Sequence, residues 1–407
     1  MEKRLIERIK YWLQILLLPV YGFSFFIPRD KKIWVFGCSF GMRFAENPRY
    51  LFLYVSQNCS DQIRPIWISK SKEIVEFLMK NNYEAYYYLS WKGVFSCLRS
   101  KVYIFDNYSK DINFWLSGGA VKVNLWHGSG NKKTNHDNKF DKIRHPKNLY
   151  ESWTSFPRRL SDEKPHHYTL ATSEAMKSIF VSAFRTDEKH IIIDGYPRND
   201  MLFNESHIDN LFTEAEEKLI EIVCDKKGRQ LKILAYMPTF RESEEKLLDI
   251  LRLDELNSFF NRNRLFLIIK LHPKSKIKNK LNTSNCSNIL LANAECDVYT
   301  FLKEVDLLIT DYSSVYTDYM LLDRPVIAFH YDWELYQENT RDSYIEHDLY
   351  MPEVKVKDMF ELEEAILELL SKDRCKEKRS SSRDRMFYYQ DGRASERVTE
   401  KIKCLLD

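Results

Sequence analysis

The sequence predicts an α/β protein with two Rossmann-like domains, whose parallel sheets face a central cleft, preceded by an N-terminal membrane-associating segment. The chain has 407 residues, which is long for a single hydrophobic core. Two successive series of short apolar segments alternate with helical patterns, as βαβ units do. A highly charged stretch separates the two series, where a linker between domains is expected.

The N-terminal segment combines positive charge with an apolar, aromatic-rich stretch. Lys3, Arg4, Arg8 and Lys10 precede the uncharged residues 11–28, whose length is at the lower edge of what spans a bilayer. Basic residues before such a stretch are typical of an interfacial anchor on an anionic leaflet. We therefore expect peripheral binding to the cytoplasmic face of the cell membrane. The alternative is a helix buried against the protein's own core.

Six apolar segments in the first half of the chain are predicted strands. The first runs into a glycine turn, and the second is followed by a helical pattern over 73–81. Strands separated by helical segments indicate βαβ units and hence a parallel sheet. The predicted strands are 32–37, 63–68, 102–105, 122–126, 168–171 and 191–194.

A second series of strands follows the charged segment 209–221 and the stretch 225–229, which form the predicted linker. Helical patterns over 359–370 and 393–406 close the chain. The strands of this series are predicted at 232–236, 265–270, 288–291, 307–309 and 326–329. The chain then divides into a membrane-associating segment (1–30), an N-terminal Rossmann-like domain (31–208), a C-terminal Rossmann-like domain (209–390) and a C-terminal helix (391–407).

Charge and cysteine content exclude two classes of protein. Lys plus Arg total 62 against 59 for Asp plus Glu, so a net charge of +3 argues against a dedicated nucleic-acid binder. The 8 cysteines are scattered, without a CxxC pair or other metal-ligand spacing. This usage indicates a reduced, cytosolic setting and argues against a structural zinc site.

The stretch 306–329 is the most informative part of the sequence. The short apolar run 307–309 is followed by Asp311, Ser313 and Ser314, where a helix should begin. Hydroxyl groups and free backbone N–H groups at a helix start can bind a phosphate, and open α/β sheets bind ligands at the carboxyl ends of their strands. The alternative is an ordinary helix N-cap.

Histidine and lysine residues follow another predicted strand. His127 stands beside two glycines and is placed to act as a base near neutral pH; the alternative is a hydrogen-bonded structural imidazole. Lys132 and Lys133 come next and could hold a phosphate or an anionic acceptor. A solvated charged loop is the alternative for these lysines.

Three further strand exits carry cationic side chains. Arg241 can clamp a phosphate through two hydrogen bonds. His272 can stabilise pyrophosphate charge or donate a proton. Arg198 either faces the cleft or pairs with Asp200 in a structural turn. Because the carboxyl ends of parallel strands share one edge of each sheet, these residues are expected to converge with Ser313 and Ser314 at the cleft.

Five motifs in order carry a resemblance to the CDP-glycerol glycerophosphotransferase family, which comprises teichoic-acid primases and polymerases with relatives in capsule assembly. They read WHGSGNKK, GYPRND, MPTFR, LHPK and ITDYSSVYTDYMLLDRPVIAFHYD. The resemblance runs from about Lys32 to the region of Tyr344. It implies a GT-B fold, an acceptor-binding first domain, a CDP-donor-binding second domain and peripheral membrane association.

The resemblance also implies roles for individual residues. His127 matches the proposed catalytic base. Arg241, His272, Ser313 and Ser314 match ligands of the donor phosphates, and Asp311 matches an acidic residue beside them. From the chemistry of the side chains themselves, His272 is a second catalytic candidate, and the acceptor-binding candidates are Lys132, Lys133 and Arg198. No metal ion or cofactor is expected, because no Asp-rich site is evident.

The expected reaction transfers glycerol phosphate from CDP-glycerol to a lipid-linked or polymeric acceptor, with release of CMP, in teichoic-acid-like or capsular polysaccharide synthesis. The alternatives are a CDP-ribitol donor, a GT-B glycosyltransferase using a nucleotide sugar, and a non-catalytic membrane scaffold. Two departures from the family pattern bear on substrate identity. Ser129 and Gly130 stand where a threonine-proline pair is usual, and Glu242 follows Arg241 where aspartate is common.

Overall fold

A computed structural model of the chain shows two separate parallel β-sheets with helices packed around them. It describes residues 2–162, 167–203, 207–241, 245–334, 336 and 342–406. The prediction of two α/β units with parallel sheets is confirmed by the strand pairings.

The first sheet has seven strands in the order β3-β2-β1-β4-β5-β6-β7. The strand order reverses between β1 and β4, which places a ligand-binding switch point at their carboxyl ends. The strands are β1 Asp30–Phe36, β2 Arg64–Ser69, β3 Ala85–Tyr87, β4 Ser100–Phe105, β5 Val121–Asn124, β6 Tyr168–Ala171 and β7 Ile191–Ile193.

The second sheet has six strands in the order β10-β9-β8-β11-β12-β13, with its switch point between β8 and β11. The strands are β8 Lys232–Met237, β9 Leu265–Ile269, β10 Ile289–Leu291, β11 Leu307–Thr310, β12 Val326–Phe329 and β13 Val354–Val356. The eleven strands expected from the sequence are all present. Sequence reasoning missed β3 and β13, which lack the uninterrupted aliphatic runs of the equally short edge strands β7 and β10.

Both sheets are covered on two faces, as expected for parallel sheets. Along β1, Trp34 and Phe36 pack into one apolar cluster, whereas Ile33 and Val35 pack into another. The cluster that contains Trp34 continues into β8 through Ile233 and Ala235, so apolar packing joins the two sheets without interruption.

The α-helices include one whose start is fixed by a reciprocal cap. Thr213 accepts a hydrogen bond from the Glu216 backbone, and the Glu216 side chain accepts one from the Thr213 backbone, so the helix predicted over 209–221 begins only at Glu214. The α-helices are Glu2–Gln14, Leu18–Ser24, Glu46–Asn58, Lys72–Lys80, Trp91–Arg99, Leu149–Asp162, Glu174–Phe184, Glu214–Gly228, Glu245–Ile250, Leu253–Arg262, Val315–Tyr319, His347–Tyr350, Met359–Ser371, Lys376–Met386 and Ala394–Cys404.

The C-terminal helix Ala394–Cys404 returns to the first sheet. Asp200 accepts hydrogen bonds from the backbone N–H groups of Ala394 and Ser395, at 2.8 and 2.7 Å. Lys401 binds the carboxylate of Asp194 at the end of β7, at 2.6 Å. Asp200 therefore caps this helix, and the considered pairing of Asp200 with Arg198 is replaced by this cap.

The N-terminal segment forms two helices with partial burial. Tyr21 stacks on Phe114 with ring centroids 4.7 Å apart, while Leu13 and Leu16 remain 58% and 74% exposed. Within the described part of the chain, the helices are too short or too polar to cross a membrane. The side chains of Lys3, Arg4 and Arg8 lie outside the described residues.

Candidate active site

A cavity of about 690 Å³ lies between the carboxyl ends of the two sheets. The first sheet contributes residues that follow β1, β4, β5 and β7, and the second contributes residues that follow β8, β9, β10 and β11. Of the predicted site residues, the cavity brings together His127, Arg198, His272, Ser313 and Ser314.

His127 follows β5, and one nitrogen of its ring is hydrogen-bonded to the protein backbone. Nδ1 lies 3.1 Å from the carbonyl oxygen of Asp106, and because a carbonyl only accepts, Nδ1 carries the hydrogen and donates. In the neutral ring Nε2 is then the unprotonated nitrogen. Trp126 packs on the imidazole with ring centroids 4.1 Å apart. This arrangement presents His127 as a proton acceptor.

His272 follows β9 and has the opposite hydrogen-bond pattern. Its Nδ1 accepts from the backbone N–H of Lys274 at 3.1 Å, so in the neutral ring Nε2 carries the hydrogen. The side chain is exposed at the cavity. His272 is therefore arranged as a hydrogen-bond or proton donor, complementary to His127.

Ser313 and Ser314 follow β11 and line the cavity. Ser314 occupies the N-cap position, but its side chain makes no capping hydrogen bond, so the ordinary-cap alternative does not describe it. The helix that follows, Val315–Tyr319, is only 5 residues long. The helix dipole expected from the sequence is therefore weak, and the two serine hydroxyl groups are the polar side chains that this turn brings to the cavity.

Arg241 and Asp311 bind each other instead of facing the cavity together with Ser313. Arg241 Nη2 lies 2.8 Å from Asp311 Oδ2, and Arg241 Nε lies 2.7 Å from Asp332 Oδ2. Burial alone would lower the pKa of Arg241, but the two carboxylates raise it, so the guanidinium stays charged. Asp311 also accepts the backbone N–H of Thr239, at 2.9 Å, and so links the loops after β8 and β11.

The three acceptor-binding candidates do not share one cavity. Lys132 lines a neighbouring cavity of about 400 Å³, with its Nζ 4.9 Å from the ring centroid of Tyr336. The Lys133 backbone N–H donates to the carbonyl of Asp342 at 2.8 Å. Arg198 reaches the first cavity but is paired with Glu46 and Asp318, so its charge is already compensated.

Sequence reasoning missed a lysine of the cavity. Lys270 stands two residues before His272, and its Nζ donates to the carbonyl of Ala294 at 2.7 Å. Burial, followed by the charge of Arg43, lowers the pKa of Lys270 to about 8. The signal was present, because Lys270 directly follows β9, and open α/β sheets bind ligands at the carboxyl ends of their strands.

Arg43 was also missed, because it stands several residues past the end of β1 and not directly at the strand exit. It contacts Glu295 of the second half at 3.5 Å and lines the same cavity. Among the described residues, no group of three or more His, Cys, Asp and Glu side chains is arranged to hold a metal ion.

Residues 20–403 match the family described as CDP-glycerol:poly(glycerophosphate) glycerophosphotransferase. The chain belongs to this family. The teichoic acid poly(glycerol phosphate) polymerase of Bacillus spizizenii is 26% identical over 402 residues, covering 95% of this chain and 97% of the relative. The teichoic acid glycerol-phosphate transferase of Staphylococcus aureus is 24% identical, covering 92% and 93%.

Other relatives of this glycerophosphotransferase are longer or differ in substrate. The teichoic acid ribitol-phosphate polymerase TarL of Staphylococcus aureus is 31% identical over 243 residues, and the match spans 41% of its length. A solved structure of the wall teichoic acid polymerase TagF superposes with a TM-score of 0.74 at 22% identity, covering 100% of this chain and 98% of the other. This likeness confirms the two-sheet GT-B-like fold.

Ser129 and Gly130, which depart from the family pattern, make specific contacts in the structure. Ser129 is buried, and its Oγ lies 2.9 Å from Oγ1 of Thr172. Its carbonyl accepts from Thr317 in the second half of the molecule, at 3.2 Å. Gly130 passes close to Ser314, since an added Cβ would lie 3.5 Å from Ser314 Cβ. Glu242 lies outside the described residues.

Proposed function

We propose that this glycerophosphotransferase moves glycerol phosphate from CDP-glycerol to a hydroxyl group of a lipid-linked or polymeric acceptor and releases CMP, in teichoic-acid-like or capsular polymer synthesis. Family membership supports the reaction class. The observation that carries the proposal is the pair of complementary histidines on opposite sides of one cavity. His127 offers an unprotonated nitrogen, and His272 offers an N–H group.

The reaction follows from this arrangement. An acceptor oxygen forms a bond to the β-phosphorus of the donor, and the bond from that phosphorus to the oxygen bridging to CMP breaks. The acceptor proton passes to Nε2 of His127. His272 hydrogen-bonds the bridging oxygen through Nε2–H, and Ser313 and Ser314 hydrogen-bond the phosphate oxygens, so the charge that develops on CMP is stabilised.

Lys270 adds a cation to this cavity and belongs to the proposed donor site. Arg241 has a different role in the proposal from direct phosphate contact. Arg241 belongs to the loop after β8, and its ion pairs with Asp311 and Asp332 fix the position of this loop. Arg241 is therefore a residue that positions the donor site.

The test uses the purified full-length protein with CDP-glycerol and a glycerol-phosphate acceptor, and it measures CMP release and acceptor mass. We expect His127→Ala to lower kcat roughly 10²–10⁴-fold, because a positioned base contributes about that much. Binding of CDP-glycerol, measured by calorimetry, should stay near normal. His190→Ala, at a histidine just before β7, is the matched control. Near-normal turnover by His127→Ala would show that His127 is not the catalytic base.

The donor could instead carry ribitol, since a ribitol-phosphate polymerase is among the relatives. Running the same assay with CDP-ribitol and with nucleotide sugars separates the alternatives. A mass gain of one glycerol-phosphate unit supports the proposal, a ribitol-phosphate or hexose gain selects an alternative, and no CMP release with any donor favours a scaffold.

The same proposal includes peripheral association with the cell membrane through the N-terminal helices. Leu13, Leu16 and Phe26 are 58%, 74% and 81% exposed. Trp12 and Trp153 lie side by side next to this surface, with ring centroids 4.7 Å apart. Exposed apolar side chains with paired tryptophans suit the boundary between lipid headgroups and acyl chains. A lipid-linked acceptor would be reached from this position.

A further inference from the structure

A buried ion pair crosses between the two halves of the active-site cavity. Arg198 follows β7 of the first sheet, and Asp318 lies in the helix Val315–Tyr319 of the second half. Nη2 of Arg198 and Oδ2 of Asp318 are 2.6 Å apart, and their side chains are 2% and 0% exposed. The pair is thus withdrawn from solvent and fixes one half against the other.

The guanidinium of Arg198 also holds the loop that carries the proposed base. Nη1 donates to the carbonyl oxygen of His127 at 3.0 Å and pairs with the carboxylate of Glu46. The ring of Tyr299 lies 4.7 Å from the guanidinium carbon. Arg198 is therefore oriented by contacts on several sides, and one of these contacts is the backbone of His127 itself.

The carboxylate of Asp318 also accepts hydrogen bonds from two neighbouring side chains. Tyr299 donates its hydroxyl hydrogen to Oδ2, and Asn199 Nδ2 donates to Oδ1 at 3.0 Å. Asp318 lies on the short helix that begins directly after Ser313 and Ser314. A chain of contacts therefore runs from the His127 carbonyl through Arg198 and Asp318 to the turn formed by Ser313 and Ser314, the serine turn.

We propose that Arg198 is a positioning residue for phosphoryl transfer, which sets the proposed base His127 against the donor-phosphate side of the cavity through Asp318. This inference rests on the proposed function. It replaces the expectation that Arg198 binds the acceptor, because two carboxylates already neutralise its charge. A phosphoryl acceptor must be held within about 0.5 Å of its reactive position, so a loosened Arg198 lowers the rate of the chemical step more than the affinity for the donor.

The test compares two buried arginines that both join distant parts of the chain. Arg198→Lys keeps the charge but loses the fork that holds the His127 carbonyl and Asp318 together. Arg49→Lys is the matched control, because Arg49 is 0% exposed and binds Glu216 at 2.9 Å. Both variants are assayed for CMP release, for the KM of CDP-glycerol and for thermal unfolding.

We expect Arg198→Lys to lower kcat about 10²-fold while the KM for CDP-glycerol changes by less than about threefold. Arg49→Lys should keep kcat within about threefold of the unmodified protein. The inference is overturned if Arg198→Lys keeps wild-type kcat, or if Arg49→Lys loses as much kcat at unchanged KM.

Milder variants keep the test decisive if Arg198→Lys does not fold. Tyr299→Phe and Asn199→Ala each remove one hydrogen bond from Asp318 and leave both charges of the pair in place. We expect each to lower kcat roughly tenfold with little change in KM; wild-type kcat in both would overturn the inference. If the unmodified protein releases no CMP, the proposed function fails instead, so the two failures are distinguishable.

Discussion

Gly128 and Ser314 approach each other from different halves of the molecule, and both stand beside residues that line the cavity. A Cβ atom added at Gly128 would lie 3.0 Å from Ser314 Oγ and 3.2 Å from Ser314 Cβ. Gly128 also has a φ of +157°, which L side chains rarely adopt. The glycine thus allows the loop of the proposed base to lie directly on the serine turn.

Alanine at Gly128 should therefore displace Ser314 and impair transfer. We expect Gly128→Ala to lower kcat/KM for CDP-glycerol roughly tenfold, because Ser314 must shift by a few tenths of an ångström, less than the shift of about 1 Å that costs about 10²-fold. Gly130→Ala is the matched control, since its Cβ would lie 3.5 Å from Ser314 Cβ, an ordinary contact. Equal activity in the two variants would argue against this steric account.

The lowered pKa of Lys270 predicts that kcat/KM for CDP-glycerol depends on pH. Its pKa is lowered to about 8, chiefly by burial, and the ammonium loses its proton as the pH rises through that value. We expect kcat/KM for CDP-glycerol to fall above pH about 8, because the neutral amine attracts the diphosphate less. Lys270→Arg stays charged and should move this decline to higher pH. An unchanged profile would separate Lys270 from donor binding.

The same shift has an effect of known sign on stability. The folded pKa lies below the unfolded value of about 10.4, so the charged lysine costs stability at pH values below about 8. This cost disappears as the pH rises from about 8 to about 10.4. The contribution of Lys270 to the pH dependence of unfolding is then isolated by comparison with Lys270→Met.

Arg241 is expected to matter for stability. Arg241→Met leaves the buried carboxylates of Asp311 and Asp332 without their guanidinium, and breaking a buried ion pair costs about 3–5 kcal/mol. Urea denaturation measures the loss of unfolding free energy. The control is Arg252→Met, whose exposed pair with Glu255 should contribute no more than about 1 kcal/mol. Similar losses in both variants would contradict the prediction.

Membrane association is tested at the exposed N-terminal leucines. We expect the double variant Leu13→Glu with Leu16→Glu to lose most of its binding to anionic phospholipid vesicles in a sedimentation assay, because both side chains are more than half exposed. Phe360→Glu, at a residue 70% exposed on the helix Met359–Ser371, is the control and should bind normally. Undiminished binding by the leucine variant would place the membrane contact elsewhere.

The sequence predicts the strands and their reactive ends well, because buried parallel strands give strong apolar runs. His127, His272, Ser313 and Ser314 meet in one cavity for the reason anticipated, namely that parallel strands present their carboxyl ends at one edge. Arg241 shows what a strand pattern leaves out. Its partner Asp332 is 91 residues away in the chain, and only the fold brings the two together.

The ion pairs of Arg198 were not predicted from the sequence. A cationic residue in a turn after a strand looks like an anion ligand as long as its neighbours in space are unknown. Asp318 was visible in the sequence only as one residue of the helix expected to begin at Ser313 and Ser314. Its approach to Arg198 depends on how the two sheets pack against each other, which local periodicity does not encode.

The apolar cluster that runs from β1 into β8 has a consequence for how the molecule opens and unfolds. Separating the two sheets as rigid bodies would expose this shared interior to water, so substrate entry and product release should rely on movements of the loops around the cavity. Unfolding should follow a single calorimetric transition, in contrast to the two transitions expected of halves joined only by a linker. Either half expressed alone would expose a large apolar surface to solvent and should aggregate.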